Sequence, residues 1–285
     1  MKILVCIKQI STSEINLNGS GKWVTQGSSS SFAISRFDEN ALEEAILLKE
    51  RFGMLNTSVD VISVGSQTAA ESIKRGMGMG ADNGIHVITE DKGYVSGSLT
   101  ALRVATMIKK ISKSGNTIKM EESDYSLCPY DLILTGIMSE DLMQAQVGPM
   151  VAEHLGIPCI TSVVKINFDD NLNVSDNRID KIEVQRELEG GIRQNIKVKL
   201  PALLTIQAGI NQPRYPSLSN ILRANKKEIL TYNIVDAQSS SSFDPLKVIR
   251  VEYPEKKRAG KILNGTTKDK AMELKNILKQ RGLLI

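Results

Sequence analysis

Aromatic residues make up only 4% of this 285-residue chain, with a single tryptophan, so the stacking platforms that hold single-stranded nucleic acid are not expected. Cysteine is scarce as well. Cys6, Cys128 and Cys159 are odd in number and have neither C-x-x-C nor metal-ligand spacing, which reads as reduced thiols in the cytoplasm rather than a disulfide framework. The two histidines, His86 and His154, stand far apart in sequence, so no metal centre is expected. No apolar run approaches the roughly 18 residues of a membrane span. The apolar stretch before Lys8 is too short for the core of a signal peptide.

What charge there is lies unevenly. The 36 basic and 32 acidic residues leave a net +4. The stretch Leu246 to Ile285 holds eleven basic and four acidic residues, a surplus of seven that leaves the rest of the chain at −3. Such a tail suits an acidic partner. Without arginine-rich helices or interleaved aromatics, a protein partner is favoured over nucleic acid or anionic lipid.

Ile3 to Ile7, Val59 to Val64, Gly84 to Ile88 and Asp131 to Thr135 are β-prone apolar runs, as in strands covered on both faces of a parallel sheet. Between them lie helical patterns. Asp38 precedes Ala41, Leu42, Ala45, Ile46 and Lys49 as a cap, and Gly53 ends the helix. A second helix begins near Gln67 with Ser66 as cap, and a third spans about Ser98 to Ile111. Ser11 to Ser31 reads as a long loop or hairpin, and Ser112 to Tyr130 as a surface loop. Gly76, Gly78 and Gly80 form a G-x-G-x-G run, but at the end of a helix, where close packing and a helix stop explain it better than phosphate binding.

Later the pattern changes. Pro158 to Val164 and Pro201 to Ile206 read as buried strands. Lys181 to Leu188 alternates apolar with polar, and Gly190-Gly191 turns it back into Ile196 to Leu200. The expected architecture is α/β, a mostly parallel, doubly wound, Rossmann-like sheet with an antiparallel extension. Residues 1–237 are expected to form this α/β domain. After the serine run at Ser239 to Ser242, residues 238–285 form a basic arm ending in an amphipathic helix, about Thr267 to Gln280, whose stripe of Ala271, Leu274, Ile277 and Leu278 must dock on something.

The most telling segment runs from Gly136 to Pro149. A strand passing through a polar turn into a helix start offers unpaired N–H groups and a positive dipole end, a cradle for phosphate. Gln144, Ala145, Gln146 and Val147 are the expected amide donors. Cys6, Val64 and Gly136 fall at the carboxyl ends of three strands, where open α/β sheets bind ligands.

Several fragments together resemble the β subunit of electron-transfer flavoproteins. They include Lys2 to Gln9, Phe37 to Ala45, Val61 to Gly65, Met79 to Asp82, the Gly136 to Pro149 loop and Arg186 to Gly191. Leu200 to Leu204, Asn211 to Leu218 and Lys256 to Lys261 complete the set, so the likeness spans nearly the whole chain in order. It implies a heterodimer whose α subunit carries FAD and whose β subunit holds a second adenine nucleotide: AMP in ordinary members, FAD in an electron-bifurcating branch that takes hydride from NADH. Gln146-Val147-Gly148-Pro149 resembles the bifurcating branch, so FAD is preferred. Met143 and Gln144, however, stand where that loop usually has an acid and a threonine.

By the same resemblance Cys6, Ser35, Arg36, Phe37, Asp38, Val64, Gly136, Ser139, Asp141 and Gln144 to Val147 are cofactor contacts. Cys6 is either a buried thiol or an adenine contact through its backbone, with no redox role. Asp141 meets the ribose or an amide, or simply caps a helix. Phe37 packs on the α-subunit flavin or acts as a hydrophobic staple. Ile210, Asn211, Pro213, Arg214 and Tyr215 dock an acyl-CoA or hydroxyacid dehydrogenase, or form a plain proline turn. The implied function is an electron carrier that bifurcates with NADH. The alternatives are an AMP-bearing carrier and, from another class, a stand-alone nucleotide-binding regulatory module. No catalytic side chain and no metal are expected.

Overall fold

In chain order the first half comprises β1 (Lys2–Cys6), β2 (Gln9–Ser11), β3 (Phe32–Ile34), α1 (Arg36–Phe52), β4 (Ser58–Gly65), α2 (Ala69–Met79), β5 (Asn83–Ile88), α3 (Gly97–Ser114), β6 (Leu132–Gly136) and α4 (Val147–Leu155). The second half adds β7 (Cys159–Asn167), β8 (Lys181–Glu187), β9 (Arg193–Lys199), β10 (Ala202–Ile206), α5 (Leu218–Lys226), β11 (Ile229–Asn233) and α6 (Thr267–Gln280). This computed structural model describes residues 1–12, 31–53, 57–91, 94–114, 128–168, 179–233, 249, 252 and 260–284. Most of the two predicted loops, the serine run and Lys256 to Ala259 lie outside them. Contacts divide the chain into two units, Met1–Asn16 with Trp23–Ile249, and Leu17–Lys22 with Arg250–Ile285.

The first unit is built on a nine-stranded sheet in the order β11-β5-β4-β1-β6-β10-β7-β8-β9. From β11 to β7 neighbouring strands are parallel, and β8 and β9 add the antiparallel extension. The chain winds from β1 outward to β4 and β5, then crosses back to place β6 on β1's other side. Ligands in such sheets bind where the winding reverses, outside the carboxyl ends of the strands. Here that point lies between Cys6 and Gly136.

Alternate residues of the central strands feed two cores. Ile3, Val5, Val59, Val61, Leu132 and Leu134 meet Leu42 and Ile46 of α1 and Ile73 and Met77 of α2. Leu4, Ile62 and Ile133 meet Val104 and Ile108 of α3 and Val151 of α4. Both faces being covered, β1 and β6 are apolar through Ile3–Val5 and Leu132–Leu134, which is why they read as continuous runs. Gly76 packs near Leu42 and Val61, Gly78 against Pro216 and Ile221, and Gly80, at φ 143°, ends α2. Packing and termination account for the glycine run.

Three capping expectations fail. α1 begins at Arg36 with Ser35 in the cap position, so Asp38 lies inside the first turn, engaged elsewhere. Phe37, also inside the helix, is not the residue before the cap that a staple requires. α2 begins at Ala69 after Thr68, two residues beyond Ser66. Ser11 to Ser31 is bounded by an antiparallel pair, β2 with β3, as a hairpin would have it.

In the second unit α6 has the predicted bounds. Thr266 Oγ1 accepts from Asp269 N while Asp269 accepts from Thr266 N, a reciprocal capping box. None of its residues is buried, and Met272 and Leu274 stand open. No helix among the described residues is long and apolar enough to cross a membrane.

Candidate functional site

At the switch point the carboxyl ends of β4, β1 and β6 lie side by side, bringing Val64, Cys6 and Gly136 together. Asp38 ties two of these ends to α1. One carboxylate oxygen accepts from Lys8 N at 2.8 Å and the other from Gly136 N at 2.9 Å. Burial pushes this carboxyl up to about 7, against the pull of the two amides and of the Lys8 charge. The Cys6 thiol is raised, first by burial and then by Asp38, so it keeps its proton and lacks the thiolate that redox or nucleophilic chemistry needs. Burial also pushes Cys159 up to about 11.

The loop after β6 is folded back by Ser35, whose hydroxyl accepts from Glu140 N at 3.4 Å, and by Arg36, whose N–H donates to Glu140 Oε2 at 3.0 Å. Ser139 Oγ and both Asp141 oxygens accept from Lys8 Nζ, at 3.4 Å and 2.7 Å. Asp141 is opposed by burial, yet Lys8 and Ser139 hold it below the usual carboxylate range. Asp141 caps no helix: α4 starts six residues later, at Val147. Lys8 thus offsets the charge of Asp141 from within the chain. Lys8 escaped the sequence reading, although a lysine just past a buried strand is the signal that points to it.

From Met143 the backbone takes an unusual course. Met143 and Ala145 have φ of 51° and 54°, a region that non-glycine residues rarely occupy, and Gln146 follows at −97°. A left-handed residue followed by a right-handed one, as Ala145 and Gln146 are, is the backbone pattern of an anion-binding nest. The amides of Gln144, Ala145 and Gln146 find no acceptor among the described residues. Val147 and Gly148 then open α4, adding first-turn N–H groups that no helical carbonyl reaches. The Gln144 side chain is bonded to Tyr94 Oη, its Oε1 accepting at 3.3 Å and its Nε2 donating at 3.0 Å. Gly148 lets α4 approach the sheet: a Cβ there would lie 2.7 Å from Thr135 Oγ1 and 2.8 Å from Thr205 Cγ2.

A cleft of about 430 Å³, lined by Arg36, Arg75, Glu140, Asp141 and Tyr215 among others, joins this loop to the segment after β10. There Ile210 is half-buried against the core, and Pro213 is half-buried. Asn211 and Arg214 are bonded to α1. Tyr215 is 88% exposed, and beyond it Leu218 and Leu222 of α5 stand 73% and 56% exposed. Neither leucine entered the predicted docking set, because α5 itself was missed. Its signal was Ser217, whose hydroxyl accepts from Asn220 N as a helix cap.

Residues 23–237 match the family described as electron transfer flavoprotein domain. The chain is 34% identical to the electron transfer flavoprotein subunit beta of Thermoanaerobacterium thermosaccharolyticum over 291 residues, the full length of both. It is 32% identical to the protein of that name from Bacillus subtilis, over 91% of each chain. With the one from Clostridium acetobutylicum it shares 31% identity over 98% of each.

Proposed function

The chain belongs to the electron transfer flavoprotein β-subunit family, and we propose on that footing that it is the β half of an αβ electron carrier. The α subunit holds one FAD, and this chain holds a second adenine nucleotide outside β1, β4 and β6. The observation that carries the nucleotide is the row of amides from Gln144 to Gly148, donors for which the described chain supplies no acceptor and phosphate oxygens would. Cys6 and Val64 wall the adenine side, and Ser35 to Asp38 with Gly136 form the floor. Phe37 faces the α-subunit flavin, while Ser139 and Asp141 lie toward the ribose. Lys8 keeps Asp141 from repelling the phosphates.

We assign FAD to this cradle on the Gln146 to Pro149 motif. When bound, FAD supplies hydride uptake from NADH and onward electron transfer. The chain's own residues bind and orient it; Cys6, holding its proton, contributes packing alone. One observation favours AMP as the second reading. Met143 is 64% exposed and apolar, and the Gln144 side chain is occupied by Tyr94, so neither replaces the acid and threonine usual there.

Docking of an acyl-CoA or hydroxyacid dehydrogenase falls to Tyr215, Leu218 and Leu222, with Ile210 seating the segment on the core. Arg223, Lys226 and Lys227 on and beside α5 suit an apolar pocket with an acidic rim. The arm from 238 to 285 grips the α subunit, which covers the apolar stripe of α6. Denaturing the purified heterodimer and quantifying released nucleotide tests the reading. Two FAD per heterodimer supports it, one FAD with one AMP leaves a carrier without bifurcation, and one FAD alone overturns the cradle. An isolated chain that is stable, monomeric and nucleotide-responsive would point to a stand-alone module.

A further inference from the structure

Between β10 and α5 the chain runs from Gln207 to Ser217 without regular structure. A surface segment of that kind keeps one shape only if side chains fix it. Here they come from one face of α1, where Asn40, Glu43 and Glu44 share a helical stripe that Glu50 continues at the far end. Asn40 Nδ2 donates to the carbonyl and Oδ1 of Asn211 at 3.2 and 3.1 Å. Asn211 Nδ2 donates back to Asn40 O at 3.0 Å and to Glu44 Oε2 at 2.9 Å. Three residues on, the Arg214 guanidinium fills the gap between two carboxylates. Nε and Nη2 donate to Glu43 at 2.8–3.0 Å, and Nη1 and Nη2 to Glu50 at 2.6 and 3.1 Å. Arg214 N adds a bond to Glu43 Oε2 at 3.1 Å.

Glu43 is only 3% exposed, so its charge has left water and needs this partner. A planar guanidinium meets both carboxylates with fixed geometry, which a flexible ammonium cannot do. The next residue is Tyr215, and α5 begins three residues after that.

We infer that Arg214 is a positioning residue for partner docking: gripping Glu43 and Glu50, it fixes residues 211–217 on α1 and presets Tyr215 and Leu218 before the dehydrogenase arrives. The inference rests on the reading that Tyr215, Leu218 and Leu222 are the docking surface. A preset surface avoids the cost of ordering on contact, so its loss appears in association rather than in transfer. α5 has separate ties: Lys74 Nζ donates to the carbonyls of Ala224 and Asn225 at 3.0 and 3.2 Å, and Ile221 packs on Gly78. The helix therefore serves as an internal control.

The test uses the αβ heterodimer with an acyl-CoA dehydrogenase, reduced by its acyl-CoA, as electron donor. Arg214→Gln is expected to speed amide exchange across 208–216 about tenfold or more while residues 219–226 keep their protection. It should raise KM for the donor about fivefold, leaving kcat and nucleotide content unchanged. Glu50→Gln, which spares the buried Glu43 pair, should shift both readouts the same way by less. Leu218→Ala should raise KM without changing exchange. Wild-type KM in both clamp variants, with Leu218→Ala impaired, overturns the positioning role. Wild-type KM in Leu218→Ala overturns the docking reading, and the role with it. If Arg214→Gln does not fold, wild-type exchange and KM in Glu50→Gln overturn the inference.

Discussion

The carboxylate of Asp38 and the backbone of Gly136, 98 residues apart in sequence, meet at 2.9 Å with no space for a side chain between them. A Cβ on Gly136 would lie 2.6 Å from Asp38 Oδ1 and 2.7 Å from Phe37. Because the same carboxylate holds Lys8 N, one buried group locks the ends of β1 and β6 to the first turn of α1. Around that lock sit the residues assigned to the nucleotide.

Gly136→Ala must therefore move α1 or the start of the cradle loop. The neighbours it meets are backbone and a fixed carboxylate, which do not yield cheaply, so a loss of about 1–3 kcal/mol is expected. Urea unfolding of the full chain measures it. Nucleotide content of the heterodimer should fall in parallel, and retention of both quantities at wild-type level would refute the lock.

Asp38 also sets a pH dependence. Its carboxyl lies near 7 in the fold and near 4 when unfolded, so between those values the folded state binds the extra proton. The stability it contributes is full below about 4, falls as pH rises through about 7 and is flat above. Thermal melts of wild type and Asp38→Asn at pH 5 and pH 8 isolate the effect. The advantage of wild type over the variant should be smaller at pH 8, and equal advantages would contradict the assignment.

Much of this fold was legible because the central strands are covered on both faces and so spell unbroken apolar runs, as Ile3 to Val5 and Leu132 to Leu134 do. The bounds of α6 were legible from the local spacing of Ala271, Leu274, Ile277 and Leu278. What escaped was decided by distant partners. Asp38 looks like a cap because it precedes the apolar stripe, yet amides just beyond β1 and at the end of β6 claim it. Asp141 has the spacing of a cap but answers to Lys8, 133 residues away. The left-handed turns at Met143 and Ala145 have no glycine to announce them, and the short α5 and β11 lack the length that makes periodicity visible.

Lys8→Met separates electrostatics from stability. The pair with Asp141 is about one-third exposed on both sides, so solvent screening limits its worth to roughly 0–1 kcal/mol of folding free energy. Its effect belongs on the ligand, since an unneutralised Asp141 would face the phosphates. Nucleotide Kd for the heterodimer should rise about tenfold, one decade being about 1.4 kcal/mol. Adding Asp141→Asn should recover most of that loss. A double variant as weak as Lys8→Met would mean that Lys8 acts on the ligand by some route other than Asp141.

Ala145 offers a prediction of opposite sign. At φ 54° an alanine pays about 1–2 kcal/mol for its Cβ, which glycine avoids at an entropic cost of about 0.5–1 kcal/mol. Ala145→Gly should therefore raise stability by up to about 1 kcal/mol, read from the urea midpoint at unchanged slope. Because the amide, not the methyl, is the group assigned to the phosphate, nucleotide affinity should persist. A bulkier β-branched residue, Ala145→Val, should lose both, since the left-handed turn that sets the Gln144 to Gln146 amides would be abandoned. Full affinity in the valine variant would show that the nest is not what holds the ligand.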